Sequence, residues 1–305
     1  NVQGASLMAY YCNKLNVPYK NIGSLVVAYS WDEMQTLETL FERGFSNGVP
    51  NMQIISQEEL RTMEPYISEE AIGALWAPTA GVVSPYELAI AATENAVMNG
   101  AKVRRNSGVF DIEYKNDMFF LSTASGVIKA KYVINCAGVY SDEVNEMVNE
   151  KSFTIKPRRG EYFVLDHFDD SYIRHVLFNV PTSKGKGVLV SPTTHYNYLV
   201  GPSSEFVEEK TDVSTDKETL DNVKVNAYSL VDNLRMDKQI RIFSGIRAVS
   251  DQGDFLIEET SPYFINVAGI QSPGLASSPA IAEKVEGLIK NKELKDNYNP
   301  YRRPL

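Results

Sequence analysis

The chain has 305 residues, 43% hydrophobic and 23% charged, which is ordinary for a globular protein large enough for two interlocked domains. Its net charge of −9 argues against a nucleic-acid partner, because phosphate binding needs a clustered positive field. No apolar run approaches the roughly 20 residues that a transmembrane segment requires.

The chain has two cysteines, Cys12 and Cys136, which lie far apart in apolar contexts. They form no disulfide framework and have no metal-ligand spacing, so we expect no metal site. This usage suits a reducing compartment. We therefore expect a cytoplasmic protein, with peripheral contact to the inner face of the membrane left open.

Helices and strands alternate in the first third of the chain. Ser30 with Glu33, and Ser56 with Glu59, have the spacing of capping boxes, and Gly100 suits the residue after a helix end. Together with the apolar periodicity, these signals predict helices over 3–15, 31–44, 57–64 and 85–98, and strands over 24–29 and 71–77.

From Ala101 onward the pattern is mainly that of strands. Asn116-Asp117 and Ser125-Gly126 are turn signals between them. The predicted strands cover 102–105, 109–114, 118–123, 127–129, 132–135, 241–249, 254–258 and 263–267, with a strand-rich region over 153–200. Helices are predicted over 142–148 and 217–231 and from the last strand's turn to about Lys290.

Two segments stand out for ligand binding. Residues 269–280 (GIQSPGLASSPA) follow a buried strand and form a glycine-rich turn that opens a helix. Such a turn lets a ligand approach the backbone, and the helix N-terminus favours negative charge. The second segment, residues 132–141 (YVINCAGVYS), is a buried strand followed by a tight turn.

Together these segments resemble the flavin-binding elements of the D-amino-acid-oxidase-like superfamily of FAD-dependent oxidoreductases. Residues 81–85, 157–162, 191–193 and 244–247 also match and keep the family's order. The resemblance covers nearly the whole chain and implies FAD as the cofactor. The cofactor-binding residues that it implies are Ala137, Gly138, Gly245, Gly269, Gln271, Ser272, Gly274, Leu275 and Ala276.

The implied fold is α/β, of mixed α+β character. A Rossmann-like FAD/NAD(P)-binding domain (1–22, 78–150 and 243–291) is interleaved with a β-rich substrate-binding domain of mixed or antiparallel sheet (23–77 and 151–242). Residues 292–305 form a linker or tail. The family's G-x-G-x-x-G turn does not occur in the sequence. We therefore expect an N-terminally truncated fragment that binds FAD poorly or not at all.

Arg247 is the first candidate for substrate binding. It lies in an apolar strand, where a lone arginine is costly unless it is paired. Its guanidinium suits a carboxylate or phosphate, and an arginine at the matching position grips the substrate anion in the family. The alternative is a structural salt bridge to Asp251 or Asp254.

Three other residues are candidates for the chemistry. Arg159 and Tyr162 lie in the 157–162 segment, where related glycerol-3-phosphate dehydrogenases often have a histidine at the position of Tyr162. A phenol is a poor base at neutral pH, so Tyr162 either orients the substrate or is a half-buried strand residue. His195 follows a segment that faces the flavin in relatives, which makes it an acid–base candidate or a solvated side chain.

The resemblance is closest to anaerobic-type glycerol-3-phosphate dehydrogenases and L-2-hydroxyglutarate oxidases. It implies oxidation of a small 2-hydroxy anion, most directly glycerol 3-phosphate to dihydroxyacetone phosphate by hydride transfer to flavin N5. L-2-hydroxyglutarate, an amine or amino acid as substrate, and an inactive flavin-free fragment are the alternatives. The tail resembles a passage that precedes an iron–sulfur module, so an iron–sulfur module or a quinone-linked acceptor is an expected partner.

Overall fold

The computed structural model describes residues 1–169, 171–181, 187–290, 292–293 and 295–303. Residue 291 of the predicted cofactor domain, residues 294, 304 and 305 of the predicted tail, and residues 170 and 182–186 of the predicted substrate domain lie outside the described residues. The helices are α1 (Val2–Leu15), α2 (Trp31–Ser46), α3 (Gln57–Met63), α4 (Pro85–Met98), α5 (Ser141–Glu146), α6 (Lys217–Tyr228) and α7 (Gly274–Leu288).

Strands make up most of the remaining regular structure, and short 3₁₀ turns occupy Gly138–Tyr140 and Met236–Lys238. The strands are β1 (Tyr19–Asn21), β2 (Ser24–Ala28), β3 (Gln53–Ser56), β4 (Gly73–Ala77), β5 (Gly81–Val83), β6 (Val109–Lys115), β7 (Met118–Thr123), β8 (Gly126–Ala130), β9 (Val133–Asn135), β10 (Ile155–Leu165), β11 (Val176–Asn179), β12 (Leu189–Pro192), β13 (Tyr198–Gly201), β14 (Glu205–Phe206), β15 (Gln239–Ser250), β16 (Leu256–Ser261) and β17 (Phe264–Ala268).

The predicted helix starts are confirmed by their caps. Ser56 accepts a hydrogen bond from the Glu59 N–H, and the Glu59 carboxylate accepts one from the Ser56 N–H, which completes a capping box. Ser30 caps α2, but the Glu33 carboxylate accepts from the Tyr29 N–H instead of closing the box. These caps fix where α2 and α3 leave the strands before them.

A large, mostly antiparallel sheet dominates the chain. Its order is β14, β10, β13, β12, β11, β2, β4, β3, with β15 along the other edge of β10. The β10–β15 pair is the longest and runs in register from Ile155↔Ser250 to Val164↔Arg241. Apolar side chains of this sheet pack with those of α6 and form the main core; they include Leu25, Phe163, Leu177, Leu220 and Val223.

A smaller sheet contains β16, β17 and β9, with β9 parallel to β17. β17 is fully buried, as predicted, and α7 follows it across one face. β9 is only partly the buried strand that the sequence predicts, because Val133 and Asn135 are buried but Ile134 is 40% exposed. Among the described residues β9 pairs only with β17, and α5 packs against it, so its other edge and face are open.

The β6–β8 region is a meander, as predicted. Asn116 and Asp117 both have positive φ, at 52° and 57°, which is the conformation of a type I′ hairpin turn. The strand predicted over 102–105 is absent, since these residues are exposed and pair with no described strand. A strand-like sequence pattern is not sufficient for a strand, because a strand also needs a neighbouring strand to pair with.

The cysteines differ in their surroundings. Cys12 is buried in the core between α1 and α4, as its apolar context predicts, whereas Cys136 is exposed at the end of β9. The described part of the tail is held against the body rather than projecting from it. Arg302 pairs with Glu94 of α4, and the Lys14 ammonium donates to the Tyr301 hydroxyl.

Candidate active site

One face of the β10–β15 pair carries residues suited to ligand binding. Because strand side chains alternate and directly opposed residues share a face, alternate residues of β10 and their partners on β15 lie together. The middle of this face holds Arg158, Gly160 and Tyr162 of β10 opposite Arg247, Gly245 and Phe243 of β15. The opposite side chains of β10 are almost all buried.

Arg247 lies across the backbone of β10 at Gly160, where a Cβ atom would collide with its guanidinium. Its Nη2 donates a hydrogen bond of 2.6 Å to the Ser203 carbonyl. Among the described residues it has no carboxylate partner; Asp251 and Asp254 instead accept from the backbone N–H groups of Thr154 and Phe255. Arg247 is therefore a half-buried cation with most of its donors available.

Burial lowers the pKa of the Arg247 guanidinium, Tyr162 opposes this shift, and Arg158 adds to it. Burial raises the pKa of the Tyr162 phenol although Arg247 pulls it the other way. Tyr162 stacks on Phe243, with ring centroids 5.2 Å apart and planes 8° apart. The phenol therefore stays protonated at neutral pH and can donate a hydrogen bond, but it cannot serve as a base there.

Arg159 lies on the other face of β10 and is buried. Its Nη1 donates to Asp212 at 2.7 Å and to Ser214 at 2.6 Å. Its Nε lies 3.2 Å from the fully buried Glu161 carboxylate, close enough for ion pairing but not aligned for a hydrogen bond. The structure therefore does not bring Arg159 to the face that holds Arg247.

His195 lies in the turn between β12 and β13. Its Nε2 is 2.8 Å from a carboxylate oxygen of Glu87, in the first turn of α4. The side chain is 57% exposed, and no described contact joins it to Tyr162 or Arg247. The structure brings Tyr162 and Arg247 together and places His195 in a separate pair with Glu87.

The turn after β17 has the close backbone geometry that the sequence predicts. Gly269 has φ +66°, and a Cβ there would lie 2.8 Å from that of Ser250 at the end of β15. Gln271 N–H donates to the Gly269 carbonyl, and Gly274 N–H to that of Gln271. Among the described residues, no acceptor faces the N–H groups of Leu275 and Ala276, which open α7.

The turn after β9 is held by hydrogen bonds among buried asparagine side chains. Asn135 accepts a hydrogen bond from the Ala137 N–H and donates to Asn266 at 2.8 Å, and Asn266 donates to Asn145 at 2.8 Å. These three side chains are at most 3% exposed. The chain of amides fixes the path of the backbone into Gly138, which has φ +59°.

The two turns meet beside the last residues of β15. Val139 of the first turn packs with Ala248 of β15 and Ala268 of β17 in one small core. Gly138 and Gly245 have no described atom within 4 Å of an added Cβ, so both positions are open among the described residues.

The arrangement fits FAD. A planar ring can approach an open glycine such as Gly245 closely, and the N–H groups of Leu275 and Ala276, which have no described acceptor, favour negative charge near them. The assignment of residues to cofactor binding stays a prediction for Ala137, Gly138, Gly245, Gly269, Gln271, Ser272, Gly274, Leu275 and Ala276. The described residues contain no cluster of metal-ligating side chains and no helix long and apolar enough to cross a bilayer.

The sequence reasoning missed Arg158 and the Ser203–Ser204 segment. Arg158 is directly opposite Arg247, and its Nε donates to the Ser204 Oγ at 2.6 Å. The alternation of side chains along the predicted strand 157–162 is a usable signal, because it places Arg158 and Arg159 on opposite faces of the sheet. What the sequence alone did not supply was the register that sets Arg158 against Arg247.

The chain is similar in sequence to known dehydrogenases. A glycerol 3-phosphate dehydrogenase of Caloramator mitchellensis is 43% identical over all of this chain and 65% of its own length. The mitochondrial L-2-hydroxyglutarate dehydrogenase of Bos taurus is 31% identical over 67% of the chain and 47% of its own length. The chain thus spans less than two thirds of each of these relatives.

Among solved structures, dithionite-reduced L-alpha-glycerophosphate oxidase from Mycoplasma pneumoniae with FAD bound superposes with a TM-score of 0.93. It is 27% identical, and the match covers all of this chain and 83% of the oxidase. The family model described as FAD dependent oxidoreductase matches residues 2–287. The chain therefore belongs to the DAO family of FAD-dependent oxidoreductases.

Proposed function

We propose that this chain is the catalytic part of an enzyme that oxidises sn-glycerol 3-phosphate to dihydroxyacetone phosphate. The observation that carries the proposal is Arg247, a half-buried cation with no described carboxylate partner, beside the open Gly245 surface. Such a cation is costly unless an anion from outside the chain pairs with it. The names of the relatives with 43% identity and with FAD bound support this choice of substrate.

When bound, FAD would accept the hydride from the hydroxyl-bearing carbon of the substrate, and the hydroxyl proton would pass to solvent, since the Tyr162 phenol is already protonated. The protein residues have separate tasks. Arg247 binds the anionic end, and Gly245 leaves room for the substrate and the ring to approach each other. Tyr162, protonated and stacked on Phe243, orients the substrate by hydrogen bonding. The α7 N–H groups stabilise negative charge that develops on the ring.

L-2-hydroxyglutarate is the second candidate, favoured by the 31% identity to the bovine enzyme. It carries two separate carboxylates, so its site needs a second cation at a distance from Arg247. On the β10–β15 face Arg158 lies directly opposite Arg247, and the exposed Lys156 and Arg241 are further cations on the same face. The adjacent pair of arginines suits one doubly charged group better than two separated carboxylates.

We infer further that the electrons pass to an iron–sulfur module or a quinone-linked acceptor. The support for this inference is the resemblance of the tail to a passage that leads into such a module. The protein is proposed to act in the cytoplasm, with contact to the inner face of the membrane as a second possibility to be tested by fractionation.

Anaerobic bleaching of the FAD-loaded protein tests the substrate. Glycerol 3-phosphate, L-2-hydroxyglutarate and glycine are offered separately, and the flavin absorbance is followed. We expect rapid bleaching by glycerol 3-phosphate alone. Bleaching by L-2-hydroxyglutarate alone would assign the chain to the second candidate, and bleaching by glycine alone would make it an amine oxidase.

A further inference from the structure

Helix α1 crosses the first turn of α7 at close range. A Cβ added to Gly4 of α1 would collide with the Ala276 carbonyl oxygen and would lie 2.7 Å from the Ser277 Cα. Both of those atoms belong to the α7 backbone, so no change of side-chain rotamer relieves the collision. Gly4 therefore sets the distance between α1 and the start of α7.

Hydrogen bonds between side chains hold this crossing together. The Ser277 hydroxyl donates to the side-chain oxygen of Asn1. Further along α7, the Glu283 carboxylate accepts from the Gln3 amide at 3.1 Å and from the Tyr11 hydroxyl at 3.3 Å. The first half of α7 is thus fixed to α1 by side chains as well as by the backbone contact.

The face of α1 that carries Gly4 continues into a closely packed core. Met8 and Cys12, about one and two turns further along, pack with Ala91 of α4, and all three are at most 4% exposed. A movement of α1 away from α7 would disturb this packing and open a cavity. The first turn of α7 is a helix end that follows an irregular turn. A side chain at position 4 should therefore displace α7 rather than α1.

We propose that Gly4 is a positioning residue for the end of α7 that faces the cofactor. The inference rests on the part of the proposed function in which α7 N–H groups stabilise negative charge on FAD. The N–H groups of Leu275 and Ala276 have no described acceptor, and the Ala276 carbonyl is the α7 atom nearest to a Cβ at Gly4. Since one helical turn moves as a unit, a push on this carbonyl also moves these N–H groups.

The size of the displacement decides its effect on FAD. Ordinary contact with a Cβ begins at about 3.4 Å, so a methyl group at position 4 requires a shift of about 0.7 Å or more. Such a shift along a hydrogen bond of about 2.9 Å lengthens it to about 3.6 Å, where it no longer holds. Reduced FAD carries more negative charge than oxidised FAD, so the reduced form should lose more of its binding free energy.

The test compares Gly4→Ala with Gly287→Ala in the FAD-loaded protein without substrate. Gly287 is a matched control, because it also lies in a helix but has no described atom within 4 Å of an added Cβ. For Gly4→Ala we expect the Kd to rise about tenfold for oxidised FAD and about a hundredfold for reduced FAD. The tenfold difference between the two forms lowers the midpoint potential of the bound FAD by about 30 mV. Gly287→Ala should leave the potential unchanged and both Kd values within about twofold.

Ser277→Ala is a second variant, which loosens the crossing without a collision. It removes the hydroxyl that donates to Asn1 and to the Pro273 carbonyl. We expect a smaller shift of the midpoint potential in the same direction as for Gly4→Ala. If Gly4→Ala does not fold, an unchanged potential in Ser277→Ala overturns the inference.

The outcomes distinguish this inference from the proposed function. A Gly4→Ala variant with the FAD affinity and midpoint potential of Gly287→Ala would overturn the role of Gly4 and leave the proposed function intact. A loss of affinity by the same factor for both redox forms would also overturn it, because the N–H groups act mainly on the reduced form. Failure of glycerol 3-phosphate to bleach the wild-type flavin would refute the proposed substrate alone, since neither titration contains substrate.

Discussion

Arg247 reaches the Ser203 carbonyl only because residue 160 is a glycine. The guanidinium occupies the volume that a Cβ at Gly160 would need, and Pro202 lies 3.2 Å from that point on the other side. The guanidinium of Arg247 therefore packs directly against the backbone of β10. The Arg247 guanidinium is thus held in place without a described carboxylate partner, and its positive charge is available to a substrate anion.

Arg247→Lys tests whether this residue binds substrate. Lysine keeps the charge but loses the planar fork, so we expect substrate affinity to fall about tenfold or more while FAD affinity stays unchanged. KM values and a fluorescence titration with FAD measure the two effects. Arg241→Lys, at an exposed position on the same face of β15, is the control. Equal losses of both affinities would make Arg247 a structural residue.

Gly245→Leu tests whether the cofactor ring lies over the open position at Gly245. No described atom lies within 4 Å of a Cβ at this position, so the free energy of unfolding of the FAD-free chain should change by less than about 0.5 kcal/mol. FAD affinity should fall about tenfold or more, since the side chain would occupy the place of the ring. Chemical denaturation and FAD titration measure the two quantities.

Gly108 supplies the control for Gly245. It is also a glycine with no described atom within 4 Å of an added Cβ, but it lies in an exposed loop before β6. Gly108→Leu should leave FAD affinity unchanged. A Gly245→Leu variant that binds FAD as tightly as Gly108→Leu would mean that the ring does not lie on this face.

At the scale of elements, the buried asparagines connect β9, β17 and α5. Asn266 donates both to Asn145 and to the Thr260 hydroxyl, while Asn149 joins the chain from the half-exposed side. Buried polar groups of this kind are stable only when they are fully paired. The network therefore couples the stability of the small sheet to the shape of the turn at Gly138.

Asn266→Leu should break this coupling. It removes a hydrogen-bond partner from both Asn135 and Asn145 in a buried setting, so the free energy of unfolding should fall by about 1–3 kcal/mol. Asn149→Ala, at the half-exposed end, should cost less than about 1 kcal/mol. Urea denaturation of the two variants provides the comparison. Equal losses of unfolding free energy in the two variants would show that the buried centre of the asparagine network stabilises the fold no more than its half-exposed end does.

The sequence predicts these elements better than it predicts their partners. The Ser56–Glu59 spacing, the Asn116-Asp117 turn and the glycine at position 269 act through local geometry, which neighbouring residues determine. The false strand over 102–105 and the exposed Ile134 arise because burial depends on which strands come together. For the same reason the sequence does not predict that Arg158 lies opposite Arg247, because this depends on the register between β10 and β15.

At the scale of the whole molecule, the segment after β14 ties the large sheet to the smaller one. Lys210 lies 2.7 Å from the Asp142 carboxylate and 2.8 Å from that of Glu143, both in α5. Asp142 also accepts from the Ile155 N–H at the start of β10. Since α5 packs on β9 and β17, these bonds hold the two sheets in one arrangement around the site.

Burial raises the pKa of Asp142, but hydrogen bonds from Lys210 and Ile155 outweigh it, and its pKa lies below the usual value. Burial lowers the pKa of Lys210, but its bonds to Asp142 and Glu143 outweigh that effect and raise it. The stability from Asp142 is thus present above its unfolded pKa of about 3.9 and is lost as pH falls through the lower folded value. The stability that Lys210 contributes is present below its unfolded pKa of about 10.4 and is lost as pH rises through its higher pKa in the folded protein.

Lys210→Met should therefore lower the free energy of unfolding by about 1–3 kcal/mol at pH 7, because it leaves Asp142 without its cation. The difference from wild type should shrink as pH falls below about 4, where Asp142 becomes protonated in the unfolded chain and then in the folded one. Lys151→Met removes an exposed pair with Glu146 and should change stability by less than about 1 kcal/mol. A difference for Lys210→Met that is independent of pH would contradict the ion-pair account.

A crystal structure of the FAD-loaded protein with glycerol 3-phosphate tests the central claim most directly, namely that cofactor and anion meet on the β10–β15 face. We predict the flavin ring over Gly245 near the first turn of α7, and the phosphate within hydrogen-bond distance of Arg247. A ring elsewhere, or a phosphate that does not contact Arg247, would contradict the account.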